Sequence, residues 1–122
     1  MRLLVIVLLL TGCPDNGVSP REGCERGAEA ECDRLYACFT SAELAAAGWP
    51  ASQAACITKL EQDRGCAAAT LDTACRGNGV YHADAAAECV DQVDGLACSQ
   101  LRDPNPDLAL AAPACSRVCR VE

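Results

Sequence analysis

Apolar positions along this chain recur mostly with a helical period. In GCERGAEAECDRLYACF, Ala28, Cys32, Leu35 and Phe39 fall at +4, +7 and +11, one stripe along a helix. Glu25, Arg26, Glu29, Asp33 and Arg34 lie mainly on its other faces. Thr40 with Glu43 three residues later predicts a capping box and a short second helix ending near Gly48-Trp49-Pro50. Ser52 suits the N-cap of a third helix that turns Cys56, Ile57 and Leu60 inward. CAAATLDTAC reads as a further helix, with Leu71 and Cys75 one turn apart, stopped by Gly77-Asn78-Gly79. Asp84 is the expected cap of ADAAAECVDQVDG, whose Ala86, Cys89, Val90, Val93 and Leu96 make the cleanest stripe. Beyond Leu101 the pattern turns irregular, and few stretches alternate as strands do. The expected fold is all-α, a small bundle of short helices.

The first residues break this pattern. LLVIVLLL, from 3 to 10, is a run of eight apolar residues after Met1-Arg2. A bilayer crossing takes about 20 such residues, so the run has the anatomy of an export signal instead. It ends in Leu10-Thr11-Gly12-Cys13, which resembles the lipobox of bacterial lipoproteins. The resemblance implies that diacylglycerol is attached to the Cys13 sulfur and that residues 1–12 are removed. Two or more acyl chains, at about 0.8 kcal/mol per buried methylene, hold a protein on a membrane where one does so only marginally. Residues 13–22, CPDNGVSPRE, then read as a flexible tether, and 23–122 as the folded domain.

Charge narrows the partners. The chain carries 10 Lys and Arg against 17 Asp and Glu. A net charge of −7 speaks against nucleic acid, whose phosphates call for Lys and Arg. It also speaks against a polybasic grip on anionic lipid, leaving the acyl chains on Cys13 as the membrane contact. The 51% hydrophobic content overstates the core, because after residue 12 there are 23 Ala but 16 Leu, Ile, Val and Phe together. A chain with so few large apolar residues seldom folds on its core alone.

Cysteine closes the deficit. Of eleven, Cys13 is assigned to lipid, and ten remain: Cys24, Cys32, Cys38, Cys56, Cys66, Cys75, Cys89, Cys98, Cys115 and Cys119. An even set in a small exported chain reads as a disulfide framework. Ten cysteines allow on the order of 900 pairings. The expected pair is Cys32–Cys56, joining the first long helix to the third, with Cys24–Cys66 in the same antiparallel register. AACITKLEQDRGC (54–66) and AECVDQVDGLAC (87–98) also echo each other, with Cys89 33 positions after Cys56. That spacing predicts a duplicated helical hairpin. With the lipobox, the AEC…C repeat and GNGVYHADAAAEC, the chain resembles small Ala- and Cys-rich helical lipoproteins of myxobacteria over 24 to 98. Some of those lie beside natural-product biosynthesis genes, and the group has no established activity. The resemblance therefore implies an anchor and a scaffold.

Side chains able to do chemistry are few. His82 is the one histidine, with Asp84 nearby but no recognisable nucleophile, and reads better as a surface or capping residue than a base. Asp91 with Asp94, and Glu61 with Asp63, lie on outward faces and form no D-x-D-x-D-G calcium loop. Among the cysteines only Cys115-x₃-Cys119 approaches zinc-ligand spacing, and disulfides are favoured. Trp49 is either a core plug or a binding anchor, with the core preferred. No catalytic residue, cofactor or metal is expected. The leading expectation is a lipid-anchored envelope or cell-surface protein with a structural or interaction role, contacting an envelope protein. An accessory in a natural-product pathway and a small inhibitor or toxin-like module remain the alternatives.

Overall fold

The computed structural model describes residues 17–122. Cys13, the signal 1–12 and the first part of the expected tether lie outside the described residues. The protein is a small disulfide-rich helical fold built around one long helix, α1 (Pro20–Cys38). The structure corrects the tether boundary of 22. Ser19 is the N-cap, its hydroxyl accepting from the Glu22 amide at 3.2 Å, and Pro20 opens the helix where its missing N–H costs nothing. Val18 is buried, and its amide donates to the Ala83 carbonyl at 3.1 Å. The chain is thus pinned from Val18 onward.

A short helix α2 (Ser41–Ala46) follows, capped reciprocally by Thr40 and Glu43 as the sequence predicts. Helix α3 (Gln53–Arg64) starts at Ser52, whose side chain accepts from the Ala55 amide at 3.2 Å. It ends at Gly65, which sits at φ +66, a conformation that side chains rarely adopt. The helix expected over 66–75 does not form. A 3₁₀ turn (Cys66–Ala68) leads into turns, with the Thr70 amide donating to the Thr73 hydroxyl at 2.9 Å. Leu71 is its one large apolar side chain and stays 69% exposed, so no packing rewards a helix there.

Strand β1 (Val80–Tyr81) pairs antiparallel with β2 (Cys119–Arg120). Helix α4 (Ala83–Asp94) begins from this ribbon, with N-cap His82 rather than the expected Asp84. The ladder sets that start, because the His82 amide donates to the Val118 carbonyl at 2.8 Å. Asp84 instead lies in the first turn, where its charge suits the helix dipole. Beyond α4 the chain forms α5 (Cys98–Leu101), α6 (Leu108–Ala111) and a 3₁₀ turn (Pro113–Arg117).

Helix α1 packs against both α3 and α4. Bridges Cys24–Cys66 and Cys32–Cys56 lay α3 antiparallel along it, in the predicted register. Helix α4 runs parallel, tied in step by Val18 to Ala83, by Arg26 to Asp91 at 3.9 Å, and by the bridge Cys38–Cys98 just beyond its end. Cys75–Cys119 and Cys89–Cys115 hold the C-terminal segment. The two echoing segments therefore both form helices on α1, and their closing cysteines, Cys66 and Cys98, both bond to it. They diverge at the inner cysteine: Cys56 bonds α1, whereas Cys89 bonds Cys115.

The core is made largely of sulfur. Its central cluster is Ala28, Cys32, Cys56 and Leu60, flanked by Tyr36, Trp49 and Ile57. The largest fully buried side chains are Cys32, Cys56 and Cys66. Disulfides here fill the volume that leucines fill in other bundles.

Candidate functional site

Small residues leave helices close in backbone but poorly filled between side chains, and one cleft of this protein arises that way. It holds about 480 Å³ and runs between the first half of α1, the end of α3, the turns after Cys66, and α4. Gly23, Gly27, Ala68, Ala86, Val90 and Val118 supply much of its lining. Tyr81 closes one side. Its hydroxyl reaches the carbonyls of Val18 at 2.9 Å and Ser19 at 3.2 Å, holding β1 against the start of α1. A Cβ at Gly23 would stand 2.7 Å from that hydroxyl, so glycine is what lets the ring lie there. Burial, with a smaller contribution from Glu22, pushes the Tyr81 phenol above its ordinary pKa, keeping it a neutral hydrogen-bond donor. At the cleft's other edge Arg64 pairs with Glu31.

The cleft offers apolar surface, Thr73, Tyr81 and Arg64, and its two cysteines, Cys24 and Cys89, are both bridged. Such a surface can bind an extended or helical apolar segment. It contains neither a free thiol nor a histidine.

The residues singled out in the sequence are dispersed rather than gathered there. All ten cysteines from Cys24 to Cys119 are paired. His82 and Asp84 line a separate open groove with Leu71, and His82 Nε2 is buried without a partner among the described residues. Asp91 faces Arg26, and Asp63 pairs with Lys59 at 2.5 Å. Among the described residues no three His, Cys, Asp or Glu side chains converge as metal ligands. Trp49 packs against the core cluster.

No family model, curated protein or solved structure matches this chain.

Two arrangements had no sequence signal. Arg102 reaches 59 residues back to Glu43, with Nη2 to Oε1 at 2.6 Å, and donates to the Cys38 carbonyl at 2.7 Å. The Arg102 bonds first, then those from Thr40, pull the Glu43 carboxyl down to about 2. Arg34 places Nη2 3.3 Å from Cys38 Sγ and 3.8 Å from Cys98 Sγ. Arg34 and Cys38 are one turn apart on α1, but the contacts to Cys98 and from Arg102 depend on how α5 returns to the end of α1.

Proposed function

We propose that this protein is a lipid-anchored component of a bacterial envelope or cell surface, with the disulfide-locked helical domain serving as an interaction scaffold. One observation carries the reading. Of eleven cysteines, ten bond one another in five bridges, which leaves Cys13 alone without a partner in the chain. That odd cysteine stands in LTGC at the end of an apolar run, where an acyl-transfer system attaches lipid. Five bridges also call for an oxidising compartment, which export supplies. The partner is an envelope protein that lays an apolar segment into the Gly- and Ala-floored cleft.

Metabolic labelling with palmitate tests the anchor. Label should enter the wild type and not Cys13→Ala, and the wild type should partition into detergent. Label on Cys13→Ala, or a mature start elsewhere, overturns the reading. Gly27→Leu tests the cleft. A Cβ at Gly27 meets no heavy atom within 4 Å, so the larger side chain enters the cleft without disturbing its own helix. Crosslinking in native membranes should recover a partner with the wild type and lose it with Gly27→Leu, while lipid label is unchanged.

A further inference from the structure

The five bridges do not share one electrostatic setting. Arg34, on the penultimate turn of α1, lays its guanidinium over Cys38–Cys98, with Nη2 3.3 Å from one sulfur and 3.8 Å from the other. Its Nε is buried and has no hydrogen-bond partner, and among the described residues no carboxylate pairs with Arg34. A half-buried cation thus sits against a neutral disulfide with no anion to balance it. Arg102 adds a second guanidinium at the Cys38 carbonyl, but Glu43 neutralises that one at 2.6 Å. The carbonyl end of α1 opposes a negative charge at Cys38 with about half an elementary charge. A whole charge in direct contact outweighs it. No arginine or lysine contacts the sulfurs of the other four bridges among the hydrogen bonds of the described residues.

Reduction of Cys38–Cys98 would create the missing anion. A disulfide whose leaving sulfur is stabilised as thiolate exchanges faster and is more oxidising than one in apolar surroundings. We propose that Cys38–Cys98 is a thiol-exchange site, reversibly opened by a small thiol or a protein dithiol, and that Arg34 makes it so. The incoming thiolate attacks Sγ of Cys98, the more exposed of the two sulfur-bearing residues. A Cys98–donor mixed disulfide forms, the Cys38–Cys98 bond breaks, and Cys38 keeps the electron pair as a thiolate beside Arg34. The reverse step, Cys38 attacking the mixed disulfide, expels the donor thiolate and restores the bridge. Opening removes the covalent tie between α5 and α1, leaving Arg102 on the Cys38 carbonyl, while the four other bridges hold the remaining fold. Arg34 is a positioning residue for charge and takes no part in bond making.

Equilibration of the whole domain in glutathione redox buffers, acid quench, alkylation and peptide mapping reads each bridge separately. In the wild type, Cys38–Cys98 should be reduced under conditions that leave Cys32–Cys56 intact, with the glutathione adduct on Cys98. Arg34→Met should lower its reduced-to-oxidised ratio about tenfold, or about 30 mV for this two-electron exchange. The other bridges should not move, and Arg34→Lys should restore most of the ratio. An unchanged ratio in Arg34→Met, a shift spread over all five bridges, or the adduct on Cys38 would each overturn the proposal.

Discussion

Cys32–Cys56 and Cys75–Cys119 are the same covalent link in opposite surroundings. The first joins two side chains with no exposed surface, between Ala28 and Leu60, at the centre of the α1–α3 pair. The second joins a half-buried cysteine in the turns to an exposed one on β2. Each is nested with a neighbour, Cys24–Cys66 around the first and Cys89–Cys115 within the second. Their chain-entropy contributions are therefore similar, at about 3 kcal/mol each. What separates them is packing: one bridge is core and the other a strap. The same division runs through the molecule, for Leu108, Leu110 and Val121 in the C-terminal segment are all more than half exposed.

Removing each bridge in turn separates core from strap. The Cys32→Ala, Cys56→Ala pair should lose about 5 kcal/mol in denaturant unfolding, the loop term plus a cavity at the centre of the cluster. The Cys75→Ala, Cys119→Ala pair should lose about 2–3 kcal/mol. Its hydrogen-exchange protection should fall mainly at β1, β2 and the Pro113–Arg117 turn. Equal losses would mean that burial adds nothing to the link.

A smaller effect sharpens the contrast at the junction where Arg102 ties the C-terminal half to α2. Folding lowers the Glu43 carboxyl from the ordinary 4.5 to about 2, first through Arg102 and then Thr40. The contribution is fully present above about pH 4.5 and is lost as pH falls towards 2. Arg102→Met should move the Glu43 midpoint, followed by carboxyl NMR, back towards 4.5 and flatten stability over that window. Smallest of all, Leu110→Ser should change stability by less than about 0.5 kcal/mol, because the side chain it trims is 79% exposed. A larger loss would show that the Leu110 side chain is packed in solution.

Legibility in the sequence divides along the same line. Thr40 with Glu43, and Ser52, mark helix starts through contacts only a few residues long, and both act as their types predict. The α1–α3 register was readable because Cys24 and Cys32 lie eight residues apart on α1 and Cys56 and Cys66 ten apart along α3 and the turn after it, spacings that match when the two run antiparallel. The failures are of other kinds. Residues 66–75 carry helix-forming alanines but a single large apolar side chain, and their two cysteines are drawn to α1 and β2. The start at Ser19 and Pro20 was hidden because Val18 is fixed by Ala83, 65 residues away. Asp107, whose side chain accepts from the Leu110 amide at 3.0 Å, caps an α6 too short to show a period. The cleft was illegible for a related reason: it is the space that Gly23, Gly27 and Ala86 fail to fill, and unfilled space leaves no motif.

The three cysteines of α1 impose an order in time. Cys24, Cys32 and Cys38 leave the ribosome before any of their partners, Cys66, Cys56 and Cys98. Every bond they can make early, with one another, is wrong. The first correct closure waits for Cys56, and Cys38 stays exposed to mispairing until Cys98 arrives, 60 residues later. Uncatalysed reshuffling takes minutes to hours, long beside the time needed to deliver a chain of 122 residues at about 5–20 residues per second. Maturation of this protein should therefore be limited by correction of early bonds, and cells lacking a disulfide isomerase should accumulate it scrambled at α1.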